Sequence, residues 1–471
     1  MTRALELHPD RLFPADQATR GIARELYKTV ERLPIISPHG HTDPQWFAAD
    51  EPFVDAAQLL ITPDHYVLRM LYSLGVSLEK LGVAPVEGHP VLPQSREVWR
   101  LFARHYGMFR GTPSRLWLDW VFAEVFGLRV CLDSETSDLY FDAISTKLAE
   151  PAFRPRALFE RFRIEVLATT ESPLDDLRHH RALKASDWRG RVITTFRPDP
   201  VLDPEYPDFR ANLDELSHLT GRDCRSYREY LEALRQRRAY FAAHGATSTD
   251  HGHPTAATAD LSEANAAALF QRIVRADVSA GDAELFRAHM LTVMAGMSLE
   301  DGLVMQLHPG AWRNHNPTLL ARFGRDKGAD IPMRTDYVGA LKPLLDRYGN
   351  SRALTLIIFT LDESTYAREL APLAGHYPAL RLGPAWWFHD SPEGMRRFRR
   401  QTTETAGFYN TVGFNDDTRA FCSIPARHDV ARRIDCGFLA ELVTEHQLHE
   451  EEAADLATEL AYTLAKQTYR L

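Results

Sequence analysis

The chain has few cysteines, no long hydrophobic run, no surplus of positive charge and no low-complexity linker, and each absence excludes a class of protein. Its 4 cysteines among 471 residues, Cys131, Cys224, Cys422 and Cys436, are far apart and form no Cys-x-x-Cys pair. That spacing argues against a zinc-thiolate centre and a disulfide scaffold, and predicts plain core thiols. No window approaches the ~18 to 20 apolar residues that a membrane span needs. Met1 to Glu31 carries charges throughout and lacks the apolar centre of a signal sequence, so a cytoplasmic protein is expected. The formal net charge of −9 leaves no broad basic surface, which argues against nucleic acid or anionic lipid as a partner. An anionic ligand must then be held by a few placed arginines. The run Arg396-Arg397-Phe398-Arg399-Arg400 is not such a site, because at helical spacing it reads as a solvated face.

What is present is a large apolar fraction, 44% hydrophobic and 10% aromatic, enough to bury a sizeable core. Eight short segments share one form, a β-compatible apolar run that ends in polar residues. They are Leu33 to His41, Arg163 to Glu171, Arg191 to Asp199, Ala246 to Asp250, Leu303 to His308, Leu354 to Asp362, Leu380 to Trp387 and Tyr409 to Asp417. Helix-compatible stretches lie between most of them, among them Leu213 to Ala243, Ser262 to Met297, Asp336 to Tyr348, Asp390 to Thr405 and Val430 to His446. Asp336, Ser262 and Ser391 are placed to cap three of these. Strand and helix in alternation, eight times, predict an α/β fold of the (β/α)8 TIM-barrel type. The gap after the first run is too long for a connection. Its helical periods at Ala56 to Leu60, Tyr66 to Leu74, Ser95 to Tyr106 and Ser114 to Phe126 predict a large helical insertion over about 45–160 within one elaborated domain, 1–471.

The strand ends carry the chemistry, since barrel enzymes place their sites there. The first run stops at His39-Gly40-His41, two imidazoles one residue apart. About one His-x-His is expected by chance among this many histidines, and a second copy, His251-Gly252-His253, does occur; alone, such a pair is two solvated loop histidines. Position at a strand end raises the first copy to half of a metal site. With one aspartate of the last segment, Asp416-Asp417, it makes a set suited to zinc or another divalent first-row ion. His308 is a fourth ligand or a hydrogen-bonding neighbour. The other strand ends bring Thr169 to Glu171, Arg197 and Asp199, Asp250, Asp362, and Trp386-Trp387. Arg197, Arg313 and Arg419 stand on three different segments, and guanidinium groups around a metal predict a small carboxylate ligand.

At these residues the chain resembles the uronate (glucuronate) isomerases of the amidohydrolase-like barrels. The resemblance runs in order through His39-Gly40-His41, Asp64-His65-Tyr66, Thr112-Pro113-Ser114-Arg115-Leu116-Trp117, Phe196-Arg197-Pro198-Asp199, Asp250-His251-Gly252, Met305 to Asn314, Trp386-Trp387-Phe388 and Asp417-Thr418-Arg419. Glycine at 40, where many members carry cysteine, and His253, where an aliphatic residue is expected, depart from the pattern. The resemblance implies interconversion of D-glucuronate with D-fructuronate and of D-galacturonate with D-tagaturonate, on a homo-oligomer. It also implies Asp417 as metal ligand and base toward C2, with Asp416 facing elsewhere. Tyr66 and His65 would reach down from the insertion to the substrate carbonyl. Arg197, Arg313 and Arg419 would bind the carboxylate and stabilise the enediolate, Asp250 would orient hydroxyls, and Trp386 would pack on the sugar.

Two other readings compete. A metal-dependent hydrolase or decarboxylase on the same barrel would share the metal and arginines. Hydrolases, however, commonly add a lysine at strand four or a histidine at strand six, where this chain has Thr249-Asp250-His251 and Thr360-Leu361-Asp362. A silent sugar-acid binding protein has no need of both histidines and Asp417.

Overall fold

The computed structural model describes residues 3–471. Seven strands form one parallel sheet in chain order: β1 (Ile35–Ser37), β2 (Ile164–Glu171), β3 (Arg191–Phe196), β4 (Ser248–His251), β5 (Val304–Leu307), β6 (Leu356–Ile358) and β7 (Leu380–Leu382). Each overlaps one of the first seven predicted runs. β1, β5 and β6 are buried along their whole length, which is why these runs read as continuous apolar segments rather than alternating ones.

The eighth run, Tyr409 to Asp417, forms no ladder strand. It meets β7 at one parallel bridge, Leu382 to Thr411, where Val412 N donates to the Leu382 carbonyl at 3.1 Å. Near its other end the Thr418 carbonyl accepts from His41 N at 3.0 Å. The segment therefore lies between β7 and the turn after β1 and completes a TIM-type α/β barrel. Left-handed backbone at Gly413 (φ 75°) and Asp417 (φ 37°) bends it away from regular pairing. The barrel is plugged from below by the carboxyl terminus, where Tyr469 is fully buried and its hydroxyl donates to Gln306 Oε1 at 2.8 Å.

Between β1 and β2 the chain is helical, from Pro44–Ala49 through Ala56–Leu60, His65–Tyr72, Ser95–His105, Pro113–Trp120 and Ser137–Leu148 to Pro155–Arg161. These helices start where the sequence supplies caps: Asp43, Asp55, Asp64 and Thr112 each accept from a first-turn N–H. Their apolar faces meet in an aromatic core that includes Trp99, Phe102, Tyr106, Phe122 and Tyr140.

Several helix expectations need correction. Leu213 to Ala243 is two helices, Phe209–Thr220 and Tyr227–Ala243, because Gly221 takes a left-handed φ of 69° and ends the first. Ser262 to Met297 is likewise two, Glu263–Val274 and Ala280–Asp301. Ser262 and Ser391 cap as expected, but Asp336 does not. Instead the Tyr337 N–H at that helix start donates to Glu369 Oε2 at 2.8 Å. The arginine run is not wholly solvated either, since buried Arg399 makes two hydrogen bonds to Asp435. All four cysteines are buried free thiols.

Candidate active site

The strand ends open into a cavity of ≈ 920 Å³. Of the residues that the sequence singles out, His39, His41, His65, Tyr66, Arg197, His308, Arg313, Trp386, Asp417 and Arg419 all line it. Asp250 and Asp362 do not.

The turn after β1 aims both imidazoles of the first His-x-His at the last strand position. His41 Nε2 lies 3.1 Å and His39 Nε2 3.7 Å from Asp417 Oδ1. Gly40 sits 3.4 Å, measured from an ideal Cβ, from the Ala168 carbonyl and close to Thr418, so a small residue suits the middle of the pair. Asp417 reaches the histidines because its φ of 37° turns the chain, whereas Asp416 points to the other side and pairs with His428 at 3.1 Å. The second Asp417 oxygen accepts Trp386 Nε1–H at 2.5 Å. Burial alone would raise the Asp417 carboxyl, but His39 and His41 outweigh it and hold it well below the usual carboxylate range. Burial pushes His41 down to about 4, into its neutral, ligating form. Two imidazoles and a carboxylate with ligand atoms within 4.8 Å of one another fit a divalent metal ion.

His308 stacks on His39 with ring centroids 4.9 Å apart, and its Nδ1 is bonded to Asp250 Oδ1 at 2.7 Å. That leaves His308 Nε2 buried with no hydrogen-bond partner. Asp250 is fully buried and is already engaged by Arg197, whose guanidinium lies 2.9 Å from Oδ2. Asp250 thus contacts both His308 and Arg197 from beside the cavity, which it does not line.

Arg197 is committed in the same way. Besides Asp250 it donates from Nε to Asp199 Oδ2 at 2.9 Å, so its charge is balanced by two carboxylates. Arg313 and Arg419 are held more loosely, at 3.6 Å from Asp330 and 3.5 Å from Asp326. Burial and the neighbouring charge of Arg197 lower the pKa of Arg313, against the pull of Asp330 and Asp326.

The insertion enters the site at His65 and Tyr66, the first turn of helix His65–Tyr72, which is capped by Asp64. Burial, with Arg419 adding to it, pushes His65 down to about 3. The Tyr66 hydroxyl donates to Asp390 at 2.8 Å; Asp390 also accepts from Arg427 at 2.8 Å, and that guanidinium lies 3.6 Å from the Trp117 ring centroid. Asp390 and Arg427 are absent from the sequence expectations, since one precedes a helix and the other lies within one, where nothing marks a residue as facing the barrel mouth. Asp362 is spent in a turn, accepting from Thr335 and Ser364. The second His-x-His is not solvated: His251 and His253 are buried beside Asp199.

Comparison with known proteins places the chain in a family. A family model described as glucuronate isomerase matches residues 16–469. The uronate isomerase of Sphingopyxis alaskensis is 70% identical over the full length of both chains. The crystal structure of glucuronate isomerase from Caulobacter crescentus superposes with a TM-score of 0.98 at 61% identity, covering 99% of this chain and 98% of that one. Uronate isomerase from Thermotoga maritima, at 25% identity, still gives 0.91 over 98% and 99% of the two chains. A family match over residues 16–469, with a relative 70% identical over both full lengths, makes this chain a member of the glucuronate isomerase family.

Proposed function

We propose that the protein interconverts D-glucuronate with D-fructuronate and D-galacturonate with D-tagaturonate by proton transfer between C2 and C1. It does so in the cytoplasm, as a homo-oligomer, with zinc at His39, His41 and Asp417. Membership of an isomerase family supports the reaction. The observation that carries the site assignment is the convergence of that triad on one wall of a cavity also lined by Arg313 and Arg419. A bound divalent ion supplies positive charge against the oxygens on which an enediolate builds up its charge.

The side chains divide the remaining work. Arg313, half-buried and only loosely paired with Asp330, takes the substrate carboxylate, and Arg419 adds a second, more exposed cation. Asp417 lifts the proton from C2. Trp386 fixes the carboxylate's direction through its N–H. His308, with Nδ1–H donating to Asp250, presents Nε2 to accept a hydroxyl proton and pass it between the neighbouring sugar oxygens. His65 and Tyr66 close the site from the insertion, with Tyr66 held by Asp390.

Incubation of metal-loaded protein with each uronate, followed by NMR, tests the assignment. Fructuronate or tagaturonate must accumulate to an equilibrium with the aldose. Failure to form either ketose overturns the reading, and release of carbon dioxide would favour the decarboxylase.

A further inference from the structure

The second His-x-His, which the reaction does not use, forms a polar cluster at the edge of the cavity. Along β4 the side chains alternate, so that Asp250 serves the catalytic face while Thr249 and His251 share the other. There His251 and His253 meet Asp199, with one ligand atom from each lying within 4.8 Å of the other two. All three residues are buried. His251 Nδ1 and both nitrogens of His253 have no hydrogen-bond partner, a costly state for buried polar atoms unless something fills it.

We propose that Asp199, His251 and His253 form a second divalent transition-metal site. The donor set, two imidazoles and one carboxylate, matches that of the first site. Asp199 Oδ1 and His253 Nε2 are 3.8 Å apart, too far for a hydrogen bond and near the about 3.4 Å that separates two ligands of a tetrahedral ion with bonds of about 2.1 Å. With Nε2–H donating to Thr249 Oγ1 at 3.1 Å, His251 keeps its Nδ1 lone pair for the ion, the outer hydrogen bond that metal-binding imidazoles commonly make. Gly252 makes the arrangement possible, because a Cβ there would lie 2.1 Å from the Arg197 guanidinium and 3.0 Å from Asp199 Oδ2. Its N–H instead donates to Asp199 and holds the carboxylate between the imidazoles. Asp199 and His253 also line the substrate cavity, which gives an ion a way in.

Arg197 sets the strength of this site. Its Nε–H donates to Asp199 Oδ2, so a cation must share that carboxylate with a guanidinium, and the site fills after the His39, His41 and Asp417 site. Titration of metal-free protein with Co²⁺, read by bound metal per chain and by visible absorption, tests this. The wild type is expected to take up two equivalents, and His253→Leu to lose the weaker one while keeping the tighter. Asp417→Asn is expected to do the reverse, which separates this site from the proposed catalytic one. His253→Gln, closer in volume, serves if the leucine variant does not fold. A single equivalent in the wild type, or unchanged uptake by folded His253 variants, overturns the proposal.

Discussion

Asp417 holds a left-handed φ that a non-glycine residue adopts at a cost, and its carboxylate is gripped on both oxygens, by His39 and His41 on one and Trp386 on the other. Such strain is tolerated where the direction of one side chain matters. Asp417→Asn keeps the shape and removes the charge, so kcat is expected to fall by about 10²- to 10⁴-fold, the range for loss of a general base; steady-state kinetics with metal in excess checks it, and full activity would remove Asp417 from the chemistry. Glu171 behaves in the opposite way. Burial at the end of β2 pushes its carboxyl up to about 8 from an ordinary 4.5. Between those two values the folded state holds a proton that the unfolded state has lost, so this group takes stability away as pH rises, by about 1.4 kcal/mol per pH unit. The Glu171→Gln variant, which mimics the protonated form, should show a flatter decline in urea midpoint between pH 5 and pH 8 than the wild type. Parallel declines would contradict the shift.

At the scale of elements, the insertion is tied to the barrel by a buried chain running from Tyr66 through Asp390 to Arg427 in helix Ile424–Thr444. Arg427→Met leaves Asp390 buried without its cation, and a loss of about 3 to 5 kcal/mol is expected on denaturation. Adding Asp390→Asn should recover part of it; additive losses in the double variant would contradict the coupling. Seven barrel strands are legible in the sequence because strands buried on both faces must be apolar and end where the polar mouth begins. The eighth is legible only as an apolar run, since Gly413 and Asp417 bend it out of ladder pairing. The breaks at Gly221 and between Val274 and Ala280 are masked by helical periodicity that continues on either side. The grouping of His39, His41 and Asp417, proposed above to hold a metal, can be read from position at strand ends. The ion pair that ties Arg197 to buried Asp250 cannot, because nothing in either residue type marks which partner stays at the cavity wall and which lies beneath it.

For the whole molecule, the barrel brings together residues from 39 to 419 around one cavity, with negative overall charge and a local concentration of arginine. This cavity, we propose, moves a proton between C2 and C1 of a hexuronate. The most direct test is turnover of D-glucuronate in D₂O by metal-loaded protein, with the ketose followed by NMR. D-fructuronate carrying solvent deuterium at C1 is expected, absent from metal-stripped protein and restored when the ion is returned. Unchanged glucuronate, or ketose and recovered aldose both free of deuterium after prolonged equilibration, would contradict it.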